Sequence, residues 1–448
     1  MDIKGKKISI IGAADSGIAA AKLAKKMGAL PFVSDSASRQ SVFKWISVLE
    51  NENIPYETDK HSEKVFDCDF IVTSPGVPSF SGILAEAKDK GIEIYSEFEF
   101  ASWFNKGKTI AITGTNGKTT TTSLMNFTLK QSGFNTFSAG NIGTPFSDVV
   151  TEIGENDYVV LEASSFQLDF IKYFKPDFAV VLNITPDHLD RYNNDFALYA
   201  RSKMNILKNQ TANDVLIYNS DDRNVIDFMP AADVNKYGFS LQKEMLKGSY
   251  VKEGNMIFSD QTKETVCAVS DLFIKGPHNV SNALAVLTVA KKLGIPNKKI
   301  KSAFSSFRGV EHRIEFVREL AGVEYYNDSK ATNVDSVWYA LNSFEKPIYL
   351  ILGGKDKGND YNKIKELVAR KVKKIYAIGS SANKVYDFFK DIVPTEYKQS
   401  LESCVLSARK EAKPGSVVLL SPACASFDMF DNYGHRGKVF KEAVNNLK

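Results

Sequence analysis

The sequence predicts α/β architecture in three domains with largely parallel sheets, and three observations carry that reading. Apolar, β-branched runs alternate with helix-length amphipathic stretches from end to end, the pattern of strand–helix–strand units. A glycine loop of the phosphate-binding kind opens a fresh strand–helix pair in mid-chain, at Gly114. The 448 residues also exceed what one hydrophobic core organises.

From the N-terminus, Lys7–Ile11 is the first apolar strand and runs into Gly12-Ala-Ala-Asp-Ser-Gly17 and an alanine-rich helix. Strand, glycine turn and helix in that order resemble a dinucleotide fingerprint, and Asp35 follows a second strand at a fitting distance. The middle glycine is Ala14, however, and that glycine is the one that lets backbone press against a pyrophosphate. Two readings stand: a plain first turn of a Rossmann-like sheet, or a site for another nucleotide diphosphate with Asp15, Ser16, Asp35 and Ser36 as polar contacts. The strand Phe70–Thr73 ends in Thr73-Ser-Pro-Gly-Val-Pro78, which adds a second wall through Ser74 and Gly76.

Next comes Thr109–Thr113, then Gly114-Thr-Asn-Gly-Lys-Thr-Thr120 and a helix through about Lys130. The first glycine stands two residues nearer the second than in the usual G-x-x-x-x-G-K-[ST] loop, but the physics is intact. Glycines let backbone N–H groups approach phosphate oxygens, and the helix start adds partial positive charge. Lys118 reaches the β/γ-phosphates and Thr119 offers a hydroxyl to Mg²⁺. The competing reading is a tight turn with a solvated lysine; the complete order of strand, loop, Lys-Thr and helix favours an ATP site.

Three segments beyond the loop offer hard ligands. Glu162 ends the apolar strand Tyr158–Glu162, as a carboxylate reaching Mg²⁺ beside a phosphate loop does. His188 lies in Asn183-Ile-Thr-Pro-Asp-His-Leu-Asp190 after the run Phe178–Ile184, with Asp187 and Asp190 beside it. Lys203 falls on a helical stretch, where a lysine is ordinarily a surface side chain. Further strands are expected at Ile348–Leu352, Lys374–Ile378 and Val417–Leu420, after a long helix from about Asn279 to Leu293. Sheets restart after Ser96–Phe104 and at Ser305–Gly309, which divides the chain into 1–95, 96–307 and 308–448.

Composition excludes several classes. Hydrophobic residues at 43% and charged residues at 25% are those of a globular protein. The 57 Lys and Arg against 53 Asp and Glu are scattered rather than gathered in a basic stripe, so no nucleic-acid partner is expected. The apolar run Ile8–Ile11 is too short for a signal peptide and no stretch approaches spanning length; no membrane insertion is expected and the cytoplasm is. Cys68, Cys267, Cys404 and Cys424 are widely spaced, which suits neither a disulfide framework nor a zinc site.

Taken together, Gly114–Thr120, Glu162-Ala-Ser-Ser-Phe-Gln167, Asn183–Asp190 and Lys203 resemble the Mur ligases in order and spacing. His278-Asn-Val-Ser-Asn282, His312-Arg313, Asn327–Asn333, Gly353-Gly-Lys-Asp-Lys357 and Leu420–Asp428 continue the likeness, and the last, with Asn432–Gly437, resembles the D-glutamate-adding branch. The resemblance implies Rossmann-like first and last domains around a central phosphate-loop ATPase-like parallel sheet. It implies a UDP-sugar in domain 1–95, ATP in 96–307 and the incoming amino acid in 308–448. Asn141 then helps hold the muramoyl-alanine arm; Gly114, Thr115, Asn116, Gly117, Lys118, Thr119, Thr120, Asn279, Asn282, His312, Arg313 and Asp328 serve ATP. Thr332, Lys357, Ser426 and Phe427 are expected to recognise D-glutamate, whose two carboxylates call for a cation and hydrogen-bond donors.

The chemistry implied is ATP-dependent joining of D-glutamate to UDP-N-acetylmuramoyl-L-alanine through an acyl phosphate, with Lys118, His188 and Lys203 as catalytic residues. Thr119, Glu162, His188 and Lys203 are the expected Mg²⁺ ligands. An ammonium cannot ligate a cation, so the resemblance implies a carbamylated Lys203; a plain phosphate-binding lysine is the alternative. Other amino-acid-adding members, a folylpolyglutamate synthase-like ligase and a non-catalytic nucleotide sensor are the rival readings.

Overall fold

The structure, a computed structural model, describes residues 1–141, 143–356 and 358–448, and all their side chains except that of Asp335. The chain forms two compact units: Met1–Leu272 with Pro277–Ser306, and Phe273–Gly276 with Phe307–Lys448.

The first unit holds two sheets. Strands β1 (Lys7–Ile11), β2 (Leu30–Ser34), β3 (Tyr56–Glu57), β4 (Phe70–Thr73) and β5 (Ile94–Ser96) pair in parallel in the order β3-β2-β1-β4-β5. β1 is central and buried on both faces past its first residue, as continuous apolar strands of parallel sheets are. The helix Asp15–Lys26 packs its glycine and alanines inward. A Cβ on Gly17 would lie 1.8 Å from the Gly12 carbonyl oxygen, so this helix approaches its strand as closely as only glycine permits.

The second sheet has nine strands: β6 (Lys108–Thr113), β7 (Thr136–Gly140), β8 (Tyr158–Glu162), β9 (Phe178–Val181), β10 (Val215–Asn219), β11 (Asn235–Ser240), β12 (Gly248–Lys252), β13 (Asn255–Ser259) and β14 (Lys263–Ala268). Their order is β14-β13-β12-β11-β10-β9-β6-β8-β7, parallel except at β12/β13 and β13/β14. β6 therefore lies between β8 and β9, with Ile112 opposite Glu162 and Thr113 opposite Val181. The glycine loop, Glu162 and the segment leading to His188 thus leave the sheet at the carboxyl ends of three adjacent strands, where open α/β sheets bind ligands.

One core runs through both sheets of this unit, from Ile8 and Val72 to Leu161 and Val181. Phe98 joins its two halves, 4.8 Å from Phe174 and 5.8 Å from Phe146 between ring centres. Glu97 beside it is buried; one oxygen accepts the Ser147 amide at 2.7 Å and the other has no hydrogen-bond partner among the described residues. Burial raises its carboxyl to about 7.

In the second unit β15 (Glu315–Leu320) pairs antiparallel with β16 (Val323–Asn327), and β17 (Ile348–Gly353), β18 (Val372–Ile378), β19 (Thr395–Tyr397) and β20 (Val417–Leu420) complete a six-stranded sheet ordered β15-β16-β20-β17-β18-β19. Several expected boundaries moved: the strands expected at Thr109–Thr113, Ile348–Leu352 and Lys374–Ile378 each extend by one or two residues, and two other shifts have a local cause. The run Phe178–Ile184 is strand only to Val181, because Asn183 turns aside to bond the glycine loop. The long helix spans Pro277–Lys292, starting on a proline whose missing N–H has no intrahelical partner to lose.

Candidate functional site

The glycine loop is shaped by positive φ at Gly114 and Gly117, +154° and +85°. A Cβ on Gly117 would meet Asn282 Oδ1 at 2.5 Å, which puts Asn282 of the Pro277–Lys292 helix against the loop, with Asn279 Oδ1 3.5 Å from its amide nitrogen. The loop is clamped from the other side. Asn183 accepts the Asn116 amide at 2.7 Å and donates to the Asn116 carbonyl at 3.0 Å, while Thr115 Oγ1 exchanges hydrogen bonds with the backbone of Thr185. Tyr199 OH lies 3.0 Å from the same hydroxyl. Thr119 and Thr120 are buried at the start of the helix Lys118–Gln131.

Two lysines converge on one carbonyl. Lys118 Nζ donates to Gly114 O at 2.8 Å and Thr115 O at 2.9 Å; Lys203 Nζ donates to Gly114 O at 3.0 Å. Lys203 is not the surface side chain expected of a helical lysine: it is 2% exposed, over the Tyr199 ring. Burial, reinforced by the Lys118 charge, pushes its amine well below the ordinary lysine value, against the opposing pull of Asp187, Asp169 and Glu162. Burial and the neighbouring cation both disfavour the charged form of the deeper lysine.

Glu162 is also buried. Its Oε1 accepts from Asn141 Nδ2 at 2.8 Å, and its Oε2 has no hydrogen-bond partner among the described residues. A buried carboxylate oxygen left without a donor is costly and is the observation that fits a cation here. His188 sits in a left-handed turn at φ 51°, its ring edge-on to Phe166 and Nε2 3.6 Å from Asp187 Oδ2. Glu162 and His188 do not converge with a third carboxylate, imidazole or thiol. Among the described residues that happens only at Glu311, His312 and Glu315 in the second unit, where the Lys441 ammonium already pairs with both carboxylates, at 2.9 and 2.7 Å.

A cleft of about 550 Å³ opens at the carboxyl ends of the first sheet, and Asp15, Ser16, Asp35, Ser36, Ser74, Gly76 and Asn141 all line it. Asp35 organises its floor, accepting the Ala13 amide at 2.7 Å and the Ala37 amide at 2.8 Å. Asp15 accepts from Trp45 Nε1 at 2.7 Å. Arg191 braces the far wall by donating to the Pro75 and Gly76 carbonyls at 2.8 and 2.7 Å while lying 4.2 Å over Phe166. Sequence reasoning missed three participants. Arg191 follows the quoted His188 segment directly; Gln167 closes the quoted Glu162 motif and lines the cleft; His61 lines it too but lies in a polar loop without a motif. Its one signal was its place just past a short strand.

The second unit carries the remaining candidates. His312, at φ 65°, is buried with Nδ1 2.9 Å from Asn327 Nδ2. Asp328 is buried against the Ser421 hydroxyl at 2.7 Å, and burial raises its carboxyl to about 7. The Arg313 Nε is buried without a hydrogen-bond partner among the described residues. Arg436 donates to Ser329 Oγ and O and to the Cys424 and Ala425 carbonyls, tying the loop that carries Thr332 to the one that carries Ser426. Ser426 is buried and Phe427 is 66% exposed. Lys357 lies outside the described residues.

Among the described residues no helix is long and apolar enough to cross a membrane. Comparison with known proteins gives three family matches: a MurD N-terminal domain over residues 7–83, a Mur ligase middle domain over 112–290 and a Mur ligase glutamate ligase domain over 312–424. Proteins named UDP-N-acetylmuramoylalanine–D-glutamate ligase are similar along the whole chain. That of Chloroherpeton thalassium is 44% identical, covering 100% of this chain and 99% of its own, and that of Christiangramia forsetii is 44% identical, covering 99% and 100%. Among solved structures, the UDP-N-acetylmuramate-alanine ligase of Thermotoga maritima shares the fold at TM-score 0.61 and 20% identity, over 99% of this chain and 100% of that one. A MurF ligase of the same organism, solved in complex with ADP, does so at TM-score 0.58 and 18% identity, over 93% and 95%.

Proposed function

This chain belongs to the Mur ligase family, and on that premise we propose that it joins D-glutamate to UDP-N-acetylmuramoyl-L-alanine in peptidoglycan precursor synthesis, using ATP and an acyl-phosphate intermediate. The observation that carries the proposal is the 44% identity, end to end, with ligases of that name. The convergence of Lys118 and Lys203 on Gly114 O supports its chemistry. The cytoplasm, where ATP and nucleotide-activated sugars occur together, is the compartment this reaction needs.

A carboxylate is a poor electrophile, so an amine cannot displace its oxygen directly. One oxygen of the alanyl carboxylate attacks the γ-phosphorus of ATP and ADP leaves, a step that needs charge neutralisation and alignment more than covalent help. Lys118 and the N–H groups of Gly114–Thr120 supply that at the β/γ-phosphates, with Asn279 and Asn282 toward adenine and His312, Arg313 and Asp328 toward ribose and phosphates. The amine of D-glutamate then attacks the acyl carbon, and phosphate departs with the oxygen it gained. Thr332, Lys357, Ser426 and Phe427 hold the amino acid; Asp15, Ser16, Asp35, Ser36, Ser74, Gly76 and Asn141 hold the UDP-sugar.

Thr119, Glu162 and His188 are the residues that would hold Mg²⁺, and the partnerless Glu162 Oε2 is the fit. Mg²⁺ supplies charge neutralisation between phosphates and carboxylate. Lys203 joins them only as a carbamate. A lysine amine attacks CO₂ in its unprotonated form and then loses a proton, and the burial that disfavours the charged form of Lys203 favours that reaction. Phosphate release from ATP, measured with each amino acid in turn, tests the proposal. It is expected to require both the UDP-sugar peptide and D-glutamate, with L-glutamate a poor substitute; equal rates with either enantiomer would exclude the assignment.

A further inference from the structure

His61 lines the cleft, yet the function proposed gives it no task. Its Nδ1 lies 2.7 Å from Ser34 Oγ, and the same Oγ lies 2.7 Å from Glu57 Oε1. Glu57 also accepts the Ser62 amide at 2.8 Å and the Ser62 hydroxyl at 2.5 Å. Burial pushes its carboxyl up, but the Ser62 and Ser34 donors outweigh burial and hold it below the usual value. Glu57 is therefore a carboxylate at neutral pH, able only to accept.

That fixes the proton on every atom of the chain. The single hydroxyl proton of Ser34 must point at Glu57, so Ser34 Oγ faces His61 as an acceptor and Nδ1 must carry a proton. Burial keeps the ring below the ordinary histidine value against the attraction of Asp35 and Glu57, the charged groups that act on it. A neutral ring protonated on Nδ1 leaves Nε2 as a bare lone pair, and Nε2 has no hydrogen-bond partner among the described residues.

We propose that His61 is a specificity-determining residue, presenting Nε2 to the cleft as a hydrogen-bond acceptor for a donor of the bound uridine nucleotide. This rests on the nucleotide reading of the cleft. The donor is the imide N–H of the base or a ribose hydroxyl. An acceptor there rejects cytosine, whose corresponding ring nitrogen is itself an acceptor, if the partner is the base.

The test uses the full-length protein with ¹⁵N-labelled histidines, the His61 signals being assigned by their loss in His61→Gln. At pH 7.5 Nδ1 is expected to be protonated and Nε2 bare, and the Nε2 signal should move when UDP is added. Ser34→Ala removes the acceptor for Nδ1 and should shift the proton toward Nε2. UDP affinity should fall about tenfold in His61→Leu and partly recover in His61→Gln, whose amide oxygen can accept. In wild type the affinity should be flat above neutrality and fall as acid protonates the ring. 3-Methyluridine diphosphate and the 2′- and 3′-deoxy analogues identify the donor: the one that binds wild type and His61→Leu equally lacks it. A proton on Nε2 at pH 7.5, unchanged UDP affinity in His61→Leu, or no analogue that cancels its effect would each overturn the proposal. UDP binding is measured without turnover, so these outcomes stand apart from any failure of D-glutamate ligation.

Discussion

Two glycine turns in the first unit have the same plan and opposite chemistry. Gly12–Gly17 and Gly114–Gly117 each leave a central parallel strand and enter a helix. In the second turn the glycines bend a loop whose Gly114 carbonyl receives both Lys118 and Lys203. In the first, Gly17 serves packing against the Gly12 carbonyl, and the side chains nearest the helix start are Asp15 and Ser16. Backbone form alone does not distinguish the two turns: the second has the Lys118 amine at its helix start and Lys203 brought to it from 89 residues along the chain, and the first has Asp15 and Ser16 at its helix start. The first turn, floored by the Asp35 carboxylate, suits the hydroxyls and N–H groups of a nucleoside better than a phosphoryl in transfer.

The sharpest way to break this contrast is Lys118→Ala. Turnover is expected to fall at least about a thousandfold, since a cation on the transferring phosphoryl is worth several kcal/mol; near-normal steady-state rates would dissolve the distinction between the turns. Lys203→Ala should lose about two orders of magnitude in kcat while ATP affinity holds. If the missing group is a carbamate, acetate or formate at matched ionic strength restores part of the rate and alkylamines do not; the reverse pattern would mean a plain cation.

Alanine at the two packed glycines separates their roles. Gly17→Ala meets backbone at 1.8 Å and should cost about 3 kcal/mol or more of stability, read by denaturant unfolding. Gly117→Ala meets the movable end of Asn282 at 2.5 Å in a left-handed residue; about 1 kcal/mol of strain is expected, with the larger loss in ATP affinity.

The last effect is one of pH and concerns Glu97, which anchors Ser147 beside the loop bearing Asn141. Its carboxyl rises from 4.5 to about 7 on folding, so between those values the folded chain binds a proton that the unfolded chain does not. Stability contributed by this group is then full at low pH and declines as pH rises toward 7, by at most about 3 kcal/mol. Glu97→Gln should flatten that slope in melts between pH 5 and 8, and an unchanged slope would assign it to other groups.

What the sequence disclosed of this site follows from what is local. Lys7–Ile11, Phe70–Thr73, Tyr158–Glu162 and Val417–Leu420 are strands at the ends expected, because apolar runs buried on both faces are visible in one dimension. The glycine loop was legible for the same reason. Lys203 was not legible as a buried amine: its depth comes from Tyr199 and Gly114, one a helical turn away and the other 89 residues distant. Glu162 ended its strand as expected, but that its Oε2 is partnerless depends on Asn141 taking only the other oxygen. His61 acquires its meaning from Ser34 and Glu57 on two neighbouring strands, and no pattern within its own loop carries that.

The central claim is that ATP activates a carboxylate oxygen of the substrate rather than driving ligation by binding alone. It is tested most directly with UDP-N-acetylmuramoyl-L-alanine labelled with ¹⁸O in the alanyl carboxylate, turned over with ATP and D-glutamate, the phosphate then being analysed by mass. One ¹⁸O should appear in each phosphate released, and the other should remain in the new amide. Phosphate free of label, formed in step with the amide, would contradict the acyl-phosphate account.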